Sequence, residues 1–207
     1  MIKNYYSGKL IAVDGPNGVG KTTVINKAKN LLENKGYRVY ISKEPTKSDL
    51  GEFLRSFAEE NTGESVACLV AADRYYHIHN EILPMLEQGY IVILDRYILS
   101  SLILQRMDNV ELKLILAINE GIIQPDLQIA LNACENVIQK RLNERSSLTR
   151  FEKNNRSAIE IEYMHQGVEV LKQIGVECRT LSTECEIKKS AQELTMCISD
   201  FLKKIEV

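Results

Sequence analysis

Apolar residues recur along this chain in two alternating rhythms. Short β-rich runs occupy 10–13 (LIAV), 37–42 (YRVYIS), 90–94 (YIVIL), 127–131 (LQIAL) and 176–181 (VECRTL). Between them apolar positions return every three or four residues, the period of an amphipathic helix. This spacing predicts helices over 22–35, 50–60, 64–88, 98–106, 111–120, 135–143, 157–174 and 187–205. In the first, Val24, Ile25, Ala28, Leu31 and Leu32 form the stripe, with Gly36 at the C′ position. Pro84 is expected to kink the long segment 64–88. The run 90–94 is apolar throughout, the pattern of a strand buried on both faces of a parallel sheet. Strand, helix and strand joined by short connections imply right-handed βαβ units, so the class is α/β with parallel strands.

Composition narrows this little further. At 207 residues the chain suits one α/β domain with a full core. Apolar residues are 44% and charged ones 26%, and a net charge of -2 argues against a nucleic acid partner. Five cysteines without a C-x-x-C spacing fit reduced thiols better than a disulfide framework or a zinc site. The start MIKNYYSGK lacks the apolar stretch of a secretory signal, and no apolar run approaches the ~18 residues of a membrane span. A cytoplasmic protein with no membrane partner is expected.

The strand 10–13 leads directly into Gly15-Pro16-Asn17-Gly18-Val19-Gly20-Lys21-Thr22, followed by Thr23, which meets G-x-x-x-x-G-K-[ST] at every fixed position. The chemistry needs that spacing because a polyphosphate is wrapped by backbone N–H groups, which glycines allow to approach closely. Lys21 opens a helix whose positive end faces the same anion, and Thr22 offers a hydroxyl to Mg²⁺. Lys21 is expected to stand exposed on this loop. ATP binding through residues 15–23 is the reading.

Asp95 closes the buried run 90–94, where a carboxylate at the sheet's carboxyl edge can hold Mg²⁺. Arginines cluster near the same edge: Arg55, Arg74, Arg96, and then Arg141, Arg145 and Arg150 in a charged, aperiodic segment over 141–155. Guanidinium groups grip phosphate bidentately and spread charge in phosphoryl transfer.

Taken in order, D-G-x-x-G-x-G-K-T-T (14–23), E-P (44–45), L-G-E-x-x-R (50–55), A-A-D-R (71–74), D-R-Y-x-x-S-S-x-x-x-Q (95–105), P-D-L (125–127) and R-x-x-x-R-x-x-x-x-R-F-E (141–152) resemble the thymidylate kinases over nearly the whole chain. The resemblance implies a P-loop NTPase fold: a five-stranded parallel sheet, helices on both faces, and a short lid at about 141–156 over ATP. It implies a single nucleoside monophosphate kinase domain over 1–207 and a homodimer. The implied reaction is direct in-line transfer from ATP, with Mg²⁺, to a nucleoside monophosphate, foremost dTMP to dTDP. By motif position Arg96 and Arg55 would grip the acceptor phosphate, and Asp14 and Glu44 would lie near sugar and metal, Asp14 joining Thr22 and Asp95 as a metal residue. Arg74, Ser101 and Gln105, with Val70 beside them, would face the base. Asn17 and Val19 carry no arginine, so the lid would supply the catalytic cation through Arg145 and Arg150, alongside Lys21 and Arg96.

Five positions depart from the family pattern. The paired glycines after E-P are Thr46 and Lys47, the lid's D-R is Thr149-Arg150, and aromatic positions at 70 and 104 hold Val70 and Leu104. A pocket with fewer rings predicts weaker selectivity for thymidylate, unless Tyr75, Tyr76 or Tyr97 compensates. Two other activities share the loop: a kinase of another (deoxy)nucleoside monophosphate, or a deoxynucleoside kinase with Glu44 as general base. A P-loop switch module without a small-molecule acceptor is the reading from another class.

Overall fold

The computed structural model describes residues 1–153 and 156–205. Strands β1 (Lys9–Asp14), β2 (Val39–Lys43), β3 (Ile91–Asp95), β4 (Leu127–Asn132) and β5 (Cys178–Ser182) form one parallel sheet in the order β2-β3-β1-β4-β5. Around it lie α1 (Lys21–Glu33), α2 (Asp49–Glu60), α3 (Glu64–His77), α4 (Leu83–Glu87), α5 (Ile98–Met107), α6 (Leu112–Ile118), α7 (Glu135–Asn143), α8 (Ser157–Gln173) and α9 (Ile187–Ile205). Side chains alternate across each strand and so build two cores. Ile11, Val13, Ile93 and Ile129 pack with α1, α7 and α9, while Leu10, Ala12, Val92 and Leu94 pack with α3, α5, α6 and α8. Helices on both faces of a five-stranded parallel sheet are therefore as expected.

β1 lies at the centre, between β3 and β4; the chain leaving β1 runs to β2 at one edge and the chain leaving β4 runs to β5 at the other, so the two diverge and open a crevice at their carboxyl ends. Both the glycine loop after β1 and Asp95 at the end of β3 open on that edge.

Local departures have local causes. Helix 64–88 is divided: α3 ends at His77, a π-helical turn spans Ile78–Ile82, and α4 resumes with Pro84 in its first turn. Pro84 has no N–H, and its ring would strike the carbonyl four residues back, so the helix widens before it. The second strand starts at Val39 because Tyr37 N–H is still bonded to Leu32 O (3.2 Å) at the end of α1. Gly36 takes φ 88° one position later than C′, since the helix is already capped at Asn34. Arg141 lies within α7, so the aperiodic segment begins only after Asn143. Of the expected lid, Asn154 and Asn155 lie outside the described residues. All five cysteines are unpaired. Among the described residues, no helix is long and apolar enough to cross a membrane.

Candidate active site

The loop after β1 places Gly15, Gly18 and Gly20 at φ 149°, 78° and 97°. Gly20 caps α1 in the left-handed region, which a side chain would resist. Lys21 is not the exposed side chain expected: it is only 6% exposed, and its Nζ donates to Gly15 O (2.8 Å) and Pro16 O (2.9 Å). Burial, reinforced by the Arg96 charge, pulls its pKa down from 10.5 to about 7, against the opposing pull of Asp95, Glu160 and Asp14. Thr22 Oγ1 donates to Asp95 Oδ2, while Asp95 Oδ1 is buried without a hydrogen-bond partner.

Around this loop lies a cavity of about 230 Å³ lined by Asn17, Lys21, Thr22, Asp95, Arg96 and Arg145, among others. A second cavity, of about 470 Å³, adjoins it and shares Asn17, Glu44, Pro45, Arg55, Arg96 and Glu152. Its far wall is apolar, with Leu54, Val66, Val70 and Leu104, and is edged by Arg74, Ser101 and Gln105.

The residues at the shared wall are held firmly. Arg96 follows β3 with φ 80°, a strained conformation for a side-chain-bearing residue, costing on the order of 1 kcal/mol. Its N–H donates to Val13 O (3.1 Å), its Nη2 to Asn17 Oδ1 (2.6 Å) and its Nη1 to Ser100 Oγ (3.3 Å). Arg55 comes from α2, which starts where Ser48 Oγ accepts from Gly51 N–H (3.2 Å). At Gly51 a Cβ would come within 2.1 Å of Thr46 O, so only glycine lets α2 approach the Glu44-Pro45-Thr46 loop. Arg55 Nη2 then donates to Pro45 O (2.8 Å) and Thr46 O (2.5 Å). Thr46, standing where glycine was expected, donates from N–H and Oγ1 to the two oxygens of Asp73 (2.8 and 2.6 Å) and so fastens that loop to α3.

At the base end Arg74 is 1% exposed and donates to Glu44 Oε2 (2.8 Å), Asn119 Oδ1 (2.6 Å), Tyr97 O (3.1 Å) and Ser101 Oγ (3.0 Å). It lines the cavity as a fixed post. Glu44 faces His77 Nδ1 on its other side (3.4 Å). Gln105 Oε1 is buried with no partner.

Two further expectations need correction. Asp14 does not reach either cavity: it is fully buried, Oδ1 accepting from Tyr97 N–H, Ser100 N–H and Ser100 Oγ (2.9, 3.0 and 2.5 Å) and Oδ2 from Gln128 (2.9 Å). Oδ1 holds the first turn of α5 and Oδ2 is tied to β4, so neither is left for a sugar or a metal. Arg150 is drawn away from the glycine loop, bidentate on Asp108 (2.7 and 2.8 Å) at the end of α5, with Nε on Ala58 O (2.6 Å) of α2. Arg145 alone of the two reaches the first cavity, where it pairs with Glu152. The alternative of a compensating tyrosine is not met: among the described residues none lines the second cavity beside Val70 and Leu104. Tyr97 Oη is bonded to Ile123 O (2.8 Å), Tyr75 Oη accepts from Gly121 N–H (3.0 Å), and Tyr76 is exposed. Phe151, under the Arg150 guanidinium (4.0 Å), is the one ring on the second cavity's wall among the described residues.

Glu160 of α8 was not anticipated. It sits on the helix's buried stripe with Ser157, Met164 and Leu171, and accepts from Asn17 N–H (2.6 Å) and Nδ2 (3.2 Å). Burial raises its pKa, and the Asn17 bonds oppose that rise. A charge on an otherwise buried helical stripe was the available signal.

Comparison with known proteins bears on this arrangement directly. The family model described as thymidylate kinase matches residues 13–193. A probable thymidylate kinase of Caldivirga maquilingensis is 40% identical over 148 residues, covering 70% of this chain and 72% of the relative. The thymidylate kinase of Caldicellulosiruptor saccharolyticus is 32% identical over 210 aligned positions, covering 95% and 98%, and a probable thymidylate kinase of Archaeoglobus fulgidus is 38% identical over 145 residues, covering 70% and 74%. A phosphate-binding loop facing an arginine-walled second cavity and a family match across most of the sequence agree, and the chain belongs to the thymidylate kinase family.

Proposed function

We propose that this protein transfers the γ-phosphoryl group of ATP to dTMP, giving dTDP and ADP. The observation that carries the reading is the pair of adjoining cavities meeting at Arg96, Arg55 and Asn17, which lets two phosphate-bearing ligands confront each other in line. An oxygen of the acceptor phosphate attacks Pγ as the bond from Pγ to the β-bridging oxygen breaks. That oxygen is already anionic, so no general base is needed, and the protein's task is alignment and charge neutralisation. Lys21 exchanges its bonds to Gly15 O and Pro16 O for the outer phosphates. Arg96 and Arg55 hold the acceptor phosphate, and segment 144–153, acting as a lid, brings Arg145 to the transferring group.

Thr22 and Asp95 suit Mg²⁺, a hard cation that takes few protein oxygens, and the buried, partnerless Asp95 Oδ1 is the observation that favours it. When bound, the ion neutralises β- and γ-phosphate charge. A homodimer and a cytoplasmic location accompany the family reading.

The second cavity fits a thymine. Gln105 Oε1 is a buried acceptor suited to an imide N–H, and the wall of Val66, Val70 and Leu104 suits the 5-methyl group. One buried methyl contributes about 0.8 kcal/mol, so dTMP should exceed dUMP by only about fourfold in kcat/KM. This is the modest selectivity that Val70 and Leu104 predict. A coupled ADP-release assay with dTMP, dUMP, UMP, CMP, dGMP and thymidine tests the function. Turnover with thymidine but no monophosphate would make it a nucleoside kinase, and acceptor-independent ADP release would make it a switch module.

Phe151→Ala should raise the dTMP KM about tenfold, the scale of one ring stacked on a base, with the ATP KM within about twofold. Phe151→Trp should keep the wild-type value. An unchanged dTMP KM in the alanine variant would remove Phe151 from the pocket.

A further inference from the structure

Asn17 stands between two charged groups, each with a single hydrogen-bonding role. Arg96 can only donate, and a carboxylate at Glu160 can only accept. Arg96 Nη2 reaches Asn17 Oδ1 at 2.6 Å, Asn17 Nδ2 reaches Glu160 Oε1 at 3.2 Å, and Asn17 N–H reaches Glu160 Oε2 at 2.6 Å. A primary amide satisfies both neighbours in one orientation alone. Turned over, it would set its NH₂ against the guanidinium and its oxygen against the carboxylate.

The cost of this arrangement shows that it is not incidental packing. Glu160 is 2% exposed, on the face of α8 that otherwise buries Ser157, Met164 and Leu171, and such a site disfavours a carboxylate. Among the described residues no lysine or arginine nitrogen lies within 4.0 Å of it, so it is not held there by an ion pair. Its polar contacts among those residues are with Asn17, 143 positions earlier.

We infer that Glu160 is a positioning residue for Arg96: by fixing the Asn17 amide it directs the Arg96 guanidinium to the junction of the two cavities. This rests on the reading of Arg96 as the acceptor-phosphate residue. α8 thereby fixes the rim of the phosphate loop and the acceptor arginine as one unit, although none of its residues lines either cavity.

The test exchanges hydrogen-bonding roles without changing size. In Glu160→Gln, Oε1 can keep the Asn17 backbone N–H, but Nε2 faces Asn17 Nδ2, donor against donor. Either that bond is lost or the amide turns over and repels Arg96. The dTMP KM should rise about tenfold, as for loss of one charge-assisted hydrogen bond, with the ATP KM within about twofold. The double variant Asn17→Asp/Glu160→Gln moves the negative charge onto residue 17, where one oxygen accepts from Arg96 and the other from Gln Nε2. It should recover most of the lost dTMP affinity, which a merely structural role would not predict. An unchanged dTMP KM in Glu160→Gln overturns the inference, and so does a well-folded double variant no better than the single one. If Glu160→Gln does not fold, recovery of both melting temperature and dTMP binding in the double variant supports the relay. If the wild type phosphorylates no monophosphate, the proposed function fails by itself. Calorimetry with inorganic phosphate then reads the relay alone: Glu160→Gln must weaken phosphate as Arg96→Ala does, and equal binding to wild type overturns it.

Discussion

Lys21→Met should reduce phosphoryl transfer by about 1,000-fold or more while raising the melting temperature of the ligand-free protein. The first effect follows from removing the ammonium group that the phosphate loop itself carries, on the scale of losing a preorganised charge-stabilising donor. The second follows from burial. A lysine whose pKa falls from 10.5 to about 7 on folding is held charged at a cost at neutral pH. Between those values the unfolded chain binds more protons than the folded one, so stability rises with pH across that window. The cost is fully present at and below about pH 7 and gone above 10.5. Methionine removes it while keeping most of the volume. The variant's advantage should therefore be largest at pH 7 and shrink as pH approaches 10, at about 2–4 °C for each kcal/mol recovered in a chain this long. Melting curves of both proteins across this range check the stability effect, and the coupled assay checks turnover. Near-normal turnover in Lys21→Met would sink the phosphate-loop mechanism, and a lower melting temperature at pH 7 would show that the carbonyl bonds outweigh the buried charge.

Arg145→Ala should lower kcat about 100- to 1,000-fold with a far smaller change in the ATP KM, the signature of an interaction made in the transition state. Arg145 lines the phosphate cavity beside Lys21, Thr22 and Arg96, and its pairing with Glu152 can be traded for a transferring phosphoryl group. Arg150→Ala should cost kcat less than about tenfold, because its guanidinium is committed to Asp108 and Ala58 O and can act only by seating the segment. Asp108→Asn should reproduce the Arg150 effect, and the double variant should be little worse than either single one. Equal losses of kcat in the Arg145 and Arg150 variants would contradict this division of roles.

Properties that depend on neighbours along the chain were legible beforehand. The glycine spacing of 15–20, the apolar run before it, and the helical stripe after it are short-range, and they define a phosphate-binding loop between strand and helix. The same holds for the order of strands and helices, since the period of buried positions is a consequence of backbone geometry. Pro84 disturbs its helix through its own ring, so a break was foreseeable, though its form as a π-helical turn was not.

What only the tertiary structure decided concerns side chains competing for partners far away in sequence. Asp14 looked like a metal or sugar residue by its position, but α5, more than eighty residues later, brings N–H groups and Ser100 Oγ that occupy it. Arg145 and Arg150 lie in the same charged segment, and only the distant Asp108 draws one of them away from the phosphates. Lys21 turns back onto the carbonyls of its own loop, and the charges that tune it there, those of Asp95, Arg96 and Glu160, come from distant elements. Glu160 finds Asn17 because α8 packs beside the loop. Sequence spacing reports which groups a turn or helix can present. Which of them remain free for a ligand is settled by long-range packing, because a buried polar group takes the nearest available partner to avoid the cost of having none.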